Sequence, residues 1–401
     1  MTEEKRPGLG PVLLTVLLDL LGFGLVIPLL SFYAESFDAS PVQVTGLMAS
    51  YSIAQFVFAP MWGSLSDRVG RRPVMLASIT GTVIFLSAFA SATSLWQLFL
   101  FRTLHGACAA NIGAAQAYVA DVTTPETRAR GMGLIGASFG VGFTLGPMVG
   151  GILSPYSLTA PIWLAAGLSA VNLVWALVRL PESRKPGEVS GHHGRVLDPL
   201  VILEVLRHPI VGGVIFLAFS ATFAFAMLES TFALVAEHTW SMDARTVGLL
   251  FGLIGIIGIV IQGGLIGRLV KRFGERPLLA TGYACTASGM VLLSFTHEGG
   301  AWFANGWGPI VIGCILLAIG TSLSNPSMTS LVSRSTDAEE QGRVLGVNQS
   351  LAALARAVAP TAGGFLYAHW FFGGAFAAGA LIMGTSLLVA APSVLRTPQR
   401  A

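Results

Sequence analysis

Apolar residues dominate the chain in long continuous runs that are separated by short polar segments. A helix needs about 20 mostly apolar residues to cross the hydrocarbon core of a bilayer, and the runs reach that length. Because they are continuous rather than alternating, they favour helices over the strands of a barrel. We therefore predict an all-α membrane protein whose twelve spans cover residues 11–33, 44–66, 73–92, 96–120, 131–153, 160–180, 209–236, 246–270, 277–296, 308–332, 343–368 and 372–391.

Composition agrees with this pattern. Of the 401 residues, 53% are hydrophobic and only 11% charged, and the mean hydropathy is +0.72. So few charges cannot cover the surface of a soluble domain of this size. The first apolar run follows Lys5 and Arg6 but is too long for a signal peptide, so we expect an uncleaved first helix. The three cysteines fall within predicted spans and are most simply packing residues.

The positive charges predict the orientation. With a cytoplasmic N-terminus, the loops after the even-numbered helices also face the cytoplasm. Of the 23 Lys and Arg residues, 20 then lie in the termini, in cytoplasmic loops or at the helix ends beside them. Only Arg245 lies on the opposite side, and Arg102 and Arg356 lie in the interior of spans. The positive-inside rule therefore places both termini in the cytoplasm, and the net charge of +3 gives no reason to expect nucleic acid as a partner.

One polar segment divides the chain. It follows the sixth predicted span, as a connection between two transporter lobes would. We predict an N-terminal six-helix lobe at 1–180, a cytoplasmic linker at 181–208 and a C-terminal six-helix lobe at 209–401. The adjacent His192 and His193 in this linker are interpreted as solvated residues rather than metal ligands.

The two halves carry a repeated loop. The segment Gly63-Ser-Leu-Ser-Asp-Arg-Val-Gly-Arg-Arg-Pro73 aligns without a gap with Gly267-Arg-Leu-Val-Lys-Arg-Phe-Gly-Glu-Arg-Pro277, and the two share Gly, Leu, Arg, Gly, Arg and Pro. A second pair aligns between 130–151 and 343–364, sharing an Arg, a Gly, a Pro and a final Gly-Gly. The halves are therefore predicted to be parallel repeats.

The first copy of the loop resembles motif A of the major facilitator superfamily, in which the acidic residue latches two lobes in the outward-facing state. Positive-inside charge alone is the simplest alternative interpretation of its arginines. The resemblance implies a gating role for Asp67, with Asp121 as a partner for Arg71 or Arg72. The second copy has Lys271 at the position of Asp67, so such a latch would be one-sided. The gating residues are Gly63, Asp67, Arg68, Gly70, Arg71, Arg72 and Asp121.

The fifth predicted span is rich in glycine. Small residues at these positions indicate close helix packing, which membrane helices use generally. The spacing also resembles motif C of the same superfamily, which is associated with exporters rather than importers. The residues that carry it are Gly133, Gly142, Gly146, Pro147, Gly150 and Gly151.

Four charged residues lie in the interior of spans, away from the span ends, namely Asp19, Arg102, Glu229 and Arg356. Charges at this depth are costly and indicate function by default. They could form two structural ion pairs, Asp19 with Arg102 and Glu229 with Arg356. Alternatively, burial favours the protonated form of each carboxylate, so that it gains and loses a proton as the lobes alternate. We predict that these four residues couple transport to protons.

Two further segments sharpen the resemblance. Arg102-Thr-Leu-His-Gly106 resembles motif B, whose Arg is implicated in proton transfer, although His105 stands where Gln is commoner. The segment around Asp19 is similar to helix 1 of the tetracycline-efflux branch. Acids and a His of those pumps are replaced by Phe85, Thr286 and Gly258 here, which argues against tetracycline as the main substrate.

A cavity for flat lipophilic molecules is expected to include Phe23, Tyr33, Asn111, Gln116, Phe223, Met227, Glu229, Asn325 and Met328.

The resemblance implies a proton-driven exporter of small amphipathic drugs by alternating access, in the bacterial inner membrane. A carrier of one metabolite, such as a sugar or peptide, and a non-transporting receptor or scaffold remain alternatives. Without a P-loop or a catalytic cluster, we expect neither ATP use nor an enzyme. No cofactor or metal is expected; the partners are the substrate, protons and lipids, and the working state is a monomer.

Overall fold

The computed structural model describes residues 9–109, 111–183, 199–296, 307–336 and 341–394. Within these ranges all regular structure is helical. The helices are α1 Gly10–Val26, α2 Leu30–Glu35, α3 Pro41–Val69, α4 Arg71–Ala90, α5 Leu95–Cys108, α6 Asn111–Val122, α7 Pro125–Leu153, α8 Ala160–Arg179, α9 Pro199–Arg207, α10 Pro209–Trp240, α11 Ala244–Val260, α12 Ile266–Phe273, α13 Glu275–Ser294, α14 Trp307–Arg334, α15 Gln341–His369 and α16 Gly374–Val394. A 3₁₀ turn, Ile27–Leu29, continues α1 into α2, and a π-helical turn, Ile261–Leu265, continues α11 into α12.

Eleven of the predicted spans correspond to helices that are long and apolar enough to cross a membrane. The exception is the predicted span 96–120, which consists of the two shorter helices α5 and α6. Ala109 leaves the helical region at φ −76° and ψ 66°. This interruption has no local signal in the sequence, because alanine is the best helix former.

Side chains of α3 satisfy the carbonyl groups that this interruption frees. The indole Nε1 of Trp62 donates to the oxygen of Ala107 at 2.6 Å. The amide Nε2 of Gln55 donates to the oxygen of Ala109 at 3.4 Å. The interruption is therefore held by specific partners, as backbone groups at membrane depth require.

Contacts divide the protein into two compact units. The first contains Met1–Ala39, Ser50–His192 and Ala244–Gly252, and the second contains Ser40–Ala49, His193–Asp243 and Leu253–Ala401. In the first unit, α1 packs against α7 and α8, and α4 packs against α5 and α8. Its core is a cluster of buried aliphatic residues around Tyr118, which is fully buried.

The second unit repeats this packing pattern. Helix α10 packs against α15 and α16, and α13 packs against α14 and α16. With the spans numbered in chain order, span 1 of the first unit packs against spans 5 and 6, and span 3 packs against spans 4 and 6. In the second unit, span 7 packs in the same way against spans 11 and 12, and span 9 packs against spans 10 and 12. The described helices thus follow the internal repetition that the sequence predicts.

The predicted linker 181–208 is only partly described. Its first residues follow α8, and its last third forms the short helix α9 rather than an irregular segment. Residues 184–198, with His192 and His193, lie outside the described residues, as do Lys5 and Arg6. The lobe boundaries at 180 and 209 stay a prediction.

Candidate functional site

Arg102 is buried between two aromatic rings of the first unit. Its guanidinium carbon lies 4.6 Å from the ring centroid of Tyr51 and 5.7 Å from that of Phe23. The residue is 3% exposed, and its Nε and Nη1 atoms have no hydrogen-bond partner among the described residues. Cation–π contacts therefore stabilise the charge, while donors at its edge stay available to other groups.

Other polar side chains surround this guanidinium. The imidazole of His105 contacts the Tyr51 ring edge-to-face at 5.0 Å between centroids, and its Nδ1 has no described partner. Asn111, at the start of α6, is buried beside the carboxylate of Asp19. In the described chain no ion pair joins Asp19 with Arg102, so the first of the two proposed structural pairs is absent.

The second pair of membrane charges does come together. Glu229 on α10 is half-buried, and Arg356 on α15 lies near enough for its charge to act on the Glu229 carboxylate. Both residues belong to the second unit. Arg356 itself is exposed. The structural interpretation of an ion pair thus fits these two residues better than it fits Asp19 and Arg102.

The loop that resembles motif A forms a network centred on Arg71. Its Nη1 lies 2.7 Å from an oxygen of Asp67 and donates to the hydroxyl of Ser66 at 3.1 Å. Its Nε donates to Asp121 at 3.1 Å. Asp121, at the end of α6, is thus the partner of Arg71 rather than of Arg72. The network connects the C-terminal ends of α3 and α6 with the N-terminal end of α4, whereas Gly63 and Arg68 are exposed.

Glu182 closes this network from the segment after α8. Its carboxylate accepts the backbone N–H groups of Arg71 at 2.9 Å and Arg72 at 3.1 Å, which are the first two of α4. Gly70 precedes them at φ +104°, and a Cβ there would lie 2.8 Å from the Glu182 carboxyl carbon. Ser183 donates to Asp121 at 3.0 Å. Sequence reasoning placed Glu182 in the linker and missed this role.

The second copy of the loop has a related contact with the charges exchanged. Glu275 begins α13 directly after Gly274, whose φ is +79°. Its carboxylate lies 2.8 Å from Nη1 of Arg334 and accepts from Ser330 at 3.1 Å. In the first unit a base on the third span pairs with an acid on the fourth. In the second unit an acid on the ninth span pairs with a base on the tenth.

Three glycines of the motif C segment pack directly against α1. A Cβ added at Gly142 would lie 2.7 Å from Cβ of Leu20, one at Gly146 would lie 2.7 Å from Cα of Gly24, and one at Gly150 would lie 2.6 Å from the oxygen of Leu25. Pro147 is accommodated inside α7 among them.

The two remaining glycines of the segment have other surroundings. Gly151 approaches Gly248 of α11, where an added Cβ would lie 2.9 Å from the Gly248 Cα within the first unit. An added Cβ at Gly133 would meet nothing within 4 Å. The close helix contacts of α7 therefore involve the part of the segment from Gly142 to Gly151 and not Gly133.

The predicted cavity residues have different surroundings. Tyr33 is buried and donates to the oxygen of Phe89 at 3.2 Å. Met227 is buried where α10 approaches Gly363, and the sulfur of Met328 lies 3.9 Å from the hydroxyl of Tyr283, which donates to the oxygen of Leu217. These three residues are packed. Phe23 lies with Arg102, Asn111 is buried near Asp19, Gln116 and Phe223 are half-buried, and Asn325 is exposed.

The helical membrane fold and its buried charges define a polytopic membrane protein of the transporter class. The family model of the Major Facilitator Superfamily matches residues 12–304 and 214–401. The chain belongs to the major facilitator superfamily.

Relatives of the chain are named as drug resistance proteins. The chain is 36% identical to "Tetracycline resistance protein, class C" of Escherichia coli, covering 86% of this chain and 84% of that protein. It is 32% identical to the class G protein of Vibrio anguillarum over 96% of each, and 26% identical to "Multidrug resistance protein 2" of Bacillus subtilis over 94% and 93%. These matches confirm the resemblance to the tetracycline- and multidrug-efflux branch.

Solved structures confirm the fold. The human organic anion transporter MFSD10 is 26% identical, with a TM-score of 0.71, over 97% of this chain and all of that one. The nucleoside transporter NupG is 14% identical, with a TM-score of 0.75, over 95% and 98%. NupG shows the fold alone.

Proposed function

We propose that this protein is a secondary active exporter that exchanges protons for small amphipathic, drug-like molecules by alternating access. The observation that carries the proposal is the buried polar group of the first unit, in which Asp19 and Arg102 lie at membrane depth without pairing with each other. A carboxylate that is not neutralised by a fixed partner gains and loses a proton more freely than one held in an ion pair.

The direction of transport is supported by helix packing. The motif C segment, which is associated with exporters, lies flush on α1 through Gly142, Gly146 and Gly150. Asp19 lies on the same helix. A conformational change that shifts α7 on α1 would therefore alter the surroundings of this acid. The names of the relatives agree with export of drugs.

Tetracycline is one candidate substrate, because the relatives with 36% and 32% identity are tetracycline resistance proteins. The acids and the His of those pumps are nevertheless replaced here. Thr286 is buried and its hydroxyl donates to Gly282 of its own helix, and Gly258 has no side chain. We propose that tetracycline is transported less well than other amphipathic molecules.

The protein is proposed to act as a monomer in the bacterial inner membrane, with both termini in the cytoplasm and with the proton gradient rather than a cofactor as energy source. In this orientation the network around Arg71 lies on the cytoplasmic face. There Asp67 would serve as the gate and Asp121 and Glu182 would hold the loop in place.

The test is substrate-dependent proton movement in proteoliposomes that contain the purified protein and a pH-sensitive dye. Lipophilic cations, neutral drugs and tetracycline are added separately. Proton release with several unrelated compounds, absent in Asp19→Asn, supports a multidrug antiporter. A response to only one compound would favour a carrier of a single metabolite, and silence with all of them would contradict transport of drugs.

A further inference from the structure

The interruption between α5 and α6 leaves different groups on its two sides. On the α5 side, the freed carbonyls of Ala107 and Ala109 accept from Trp62 and Gln55. On the α6 side, the first N–H groups of a helix have no partner within it and form the positive end of its dipole. Broken helices of this kind bind substrates and ions in other transporter folds.

Two buried side chains beside the interruption have donors without a partner. Arg102 is 3% exposed and Asn111 is 2% exposed. Neither Nε nor Nη1 of Arg102 is bonded among the described residues, and the amide atoms of Asn111 have no partner of good hydrogen-bond geometry there. Buried polar groups in native proteins are almost always hydrogen-bonded. Asn111 has the carboxylate of Asp19 beside it as an acceptor, so it is the Arg102 donors that indicate that an acceptor binds at this site.

Asp19 and the aromatic residue that Arg102 contacts lie on one face of α1. Asp19 lies beside Asn111, and Phe23, four residues later, lies against Arg102. Residues four apart share a helix face at a distance of about 6 Å along the axis. Asp19 and the Phe23 ring that Arg102 contacts thus lie on one face of α1, and the two charges do not pair, an arrangement that suits a ligand carrying both charges.

The Arg102 guanidinium offers hydrogen-bond donors to a ligand. Its central carbon lies over the Tyr51 ring, at 4.6 Å from the ring centroid, and its Nε and Nη1 have no partner among the described residues. An arginine side chain binds a carboxylate through parallel N–H groups that match the two oxygens. Tyr51 is therefore a positioning residue for this guanidinium.

We infer that Asp19 and Arg102 bind the two ends of an amphoteric substrate, Asp19 its protonated amine and Arg102, with Asn111, its carboxylate or another anionic oxygen. The inference rests on the proposed function and specifies its substrate class. An amine at Asp19 stabilises the ionised carboxylate, so the substrate displaces a proton. A substrate with only an anionic group would instead favour the protonated acid and would give no exchange.

The test uses three molecules with one scaffold: ciprofloxacin, which has an amine and a carboxylate, its ethyl ester, which keeps the amine, and N-acetylciprofloxacin, which keeps the carboxylate. Binding to the purified protein in detergent with EDTA is followed by the fluorescence of the ligand, and proton release is measured in weakly buffered solution. We expect ciprofloxacin to bind at least about tenfold more tightly than its ester, since a hydrogen bond to a charged group contributes about 1.5–3 kcal/mol. Ciprofloxacin and the ester should release protons, and the N-acetyl compound should not.

Variants of Arg102 and Asp19 test the binding of the two charged ends of the ligand separately. Arg102→Gln should weaken ciprofloxacin far more than its ester, so that the two bind with similar affinity, and Arg102→Lys should recover only part of the difference. Asp19→Asn should abolish proton release. Equal binding of all three molecules, or equal loss of all three in Arg102→Gln with an unchanged melting temperature, would overturn the inference. In that case proton-coupled transport of the ester would still support the proposed function. If none of the probes were transported in exchange for protons, both the inference and the proposed function would be contradicted.

Discussion

The contact between Gly146 on α7 and Gly24 on α1 gives a sharp test of the packing account. The perturbation is Gly146→Ala, which adds a single methyl group. That methyl carbon would lie 2.7 Å from Cα and carbonyl carbon of Gly24 and 2.9 Å from the nitrogen of Leu25. All three are backbone atoms, so no flexible side chain can move aside, and α1 and α7 must separate.

The control is Gly133→Ala in the same helix. A Cβ there would meet nothing within 4 Å. Replacing Gly by Ala favours a helix by about 1 kcal/mol at either position, so this gain cancels when the two variants are compared. The difference between them then reports the close approach alone. Overpacking a tightly packed contact costs about 1–3 kcal/mol.

The assay is thermal unfolding of the purified variants in detergent, followed by the amount of protein that stays monodisperse after heating. One kcal/mol shifts the melting temperature by about 2–4 °C for domains of 150–250 residues, so Gly146→Ala should melt several degrees below Gly133→Ala. Equal melting temperatures would refute the packing reasoning. Equal melting with loss of transport only in Gly146→Ala would assign the glycine to the transport cycle instead.

Three further predictions concern the loop of the first unit and the second pair of membrane charges. Asp67→Asn should remove the ion pair with Arg71 and alter the labelling of single cysteines on one face; labelling that is unchanged in all states would contradict a gating role. Glu182→Ala should lower the free energy of unfolding by about 1–2 kcal/mol, as loss of a helix cap does, and Glu182→Gln should lower it less; equal stability of wild type and Glu182→Ala in thermal unfolding would exclude the cap. Glu229→Gln should reduce transport of cationic substrates at least several-fold more than that of neutral ones, and equal losses in vesicle uptake would show that this charge does not select substrate.

The spans could be predicted because each apolar run carries its own signal. The interruption at Ala109 could not be predicted, since the contacts that satisfy it come from α3. Trp62 and Gln55 hold the freed carbonyls from far away in the sequence. Alanines at the interruption themselves favour a helix. Propensity was overridden by tertiary contacts that no local pattern shows.

The spacing of the glycines in α7 indicates which of them contact another helix. Gly142, Gly146 and Gly150 are spaced by four residues and share one face of a helix. Gly133 precedes Gly142 by nine residues, or about two and a half turns, so it points to the opposite face. The spacing alone therefore separates the contact glycines from Gly133, as the structure has them.

The partners of the motif A loop required the structure. Asp121 could be proposed for Arg71 or Arg72 because all three lie at the same end of neighbouring helices, but only the geometry chooses Arg71. The role of Glu182 depends on a contact across 111 residues of chain and on the positive φ of Gly70. Neither has a local signature.

The central claim is that Asp19 exchanges its proton for a substrate. The most direct measurement is proton release from the purified protein in proteoliposomes on addition of a lipophilic cation, with Asp19→Asn measured at equal expression and equal melting temperature. The account predicts release from the wild type and none from the variant. Release of equal size from both proteins would contradict it.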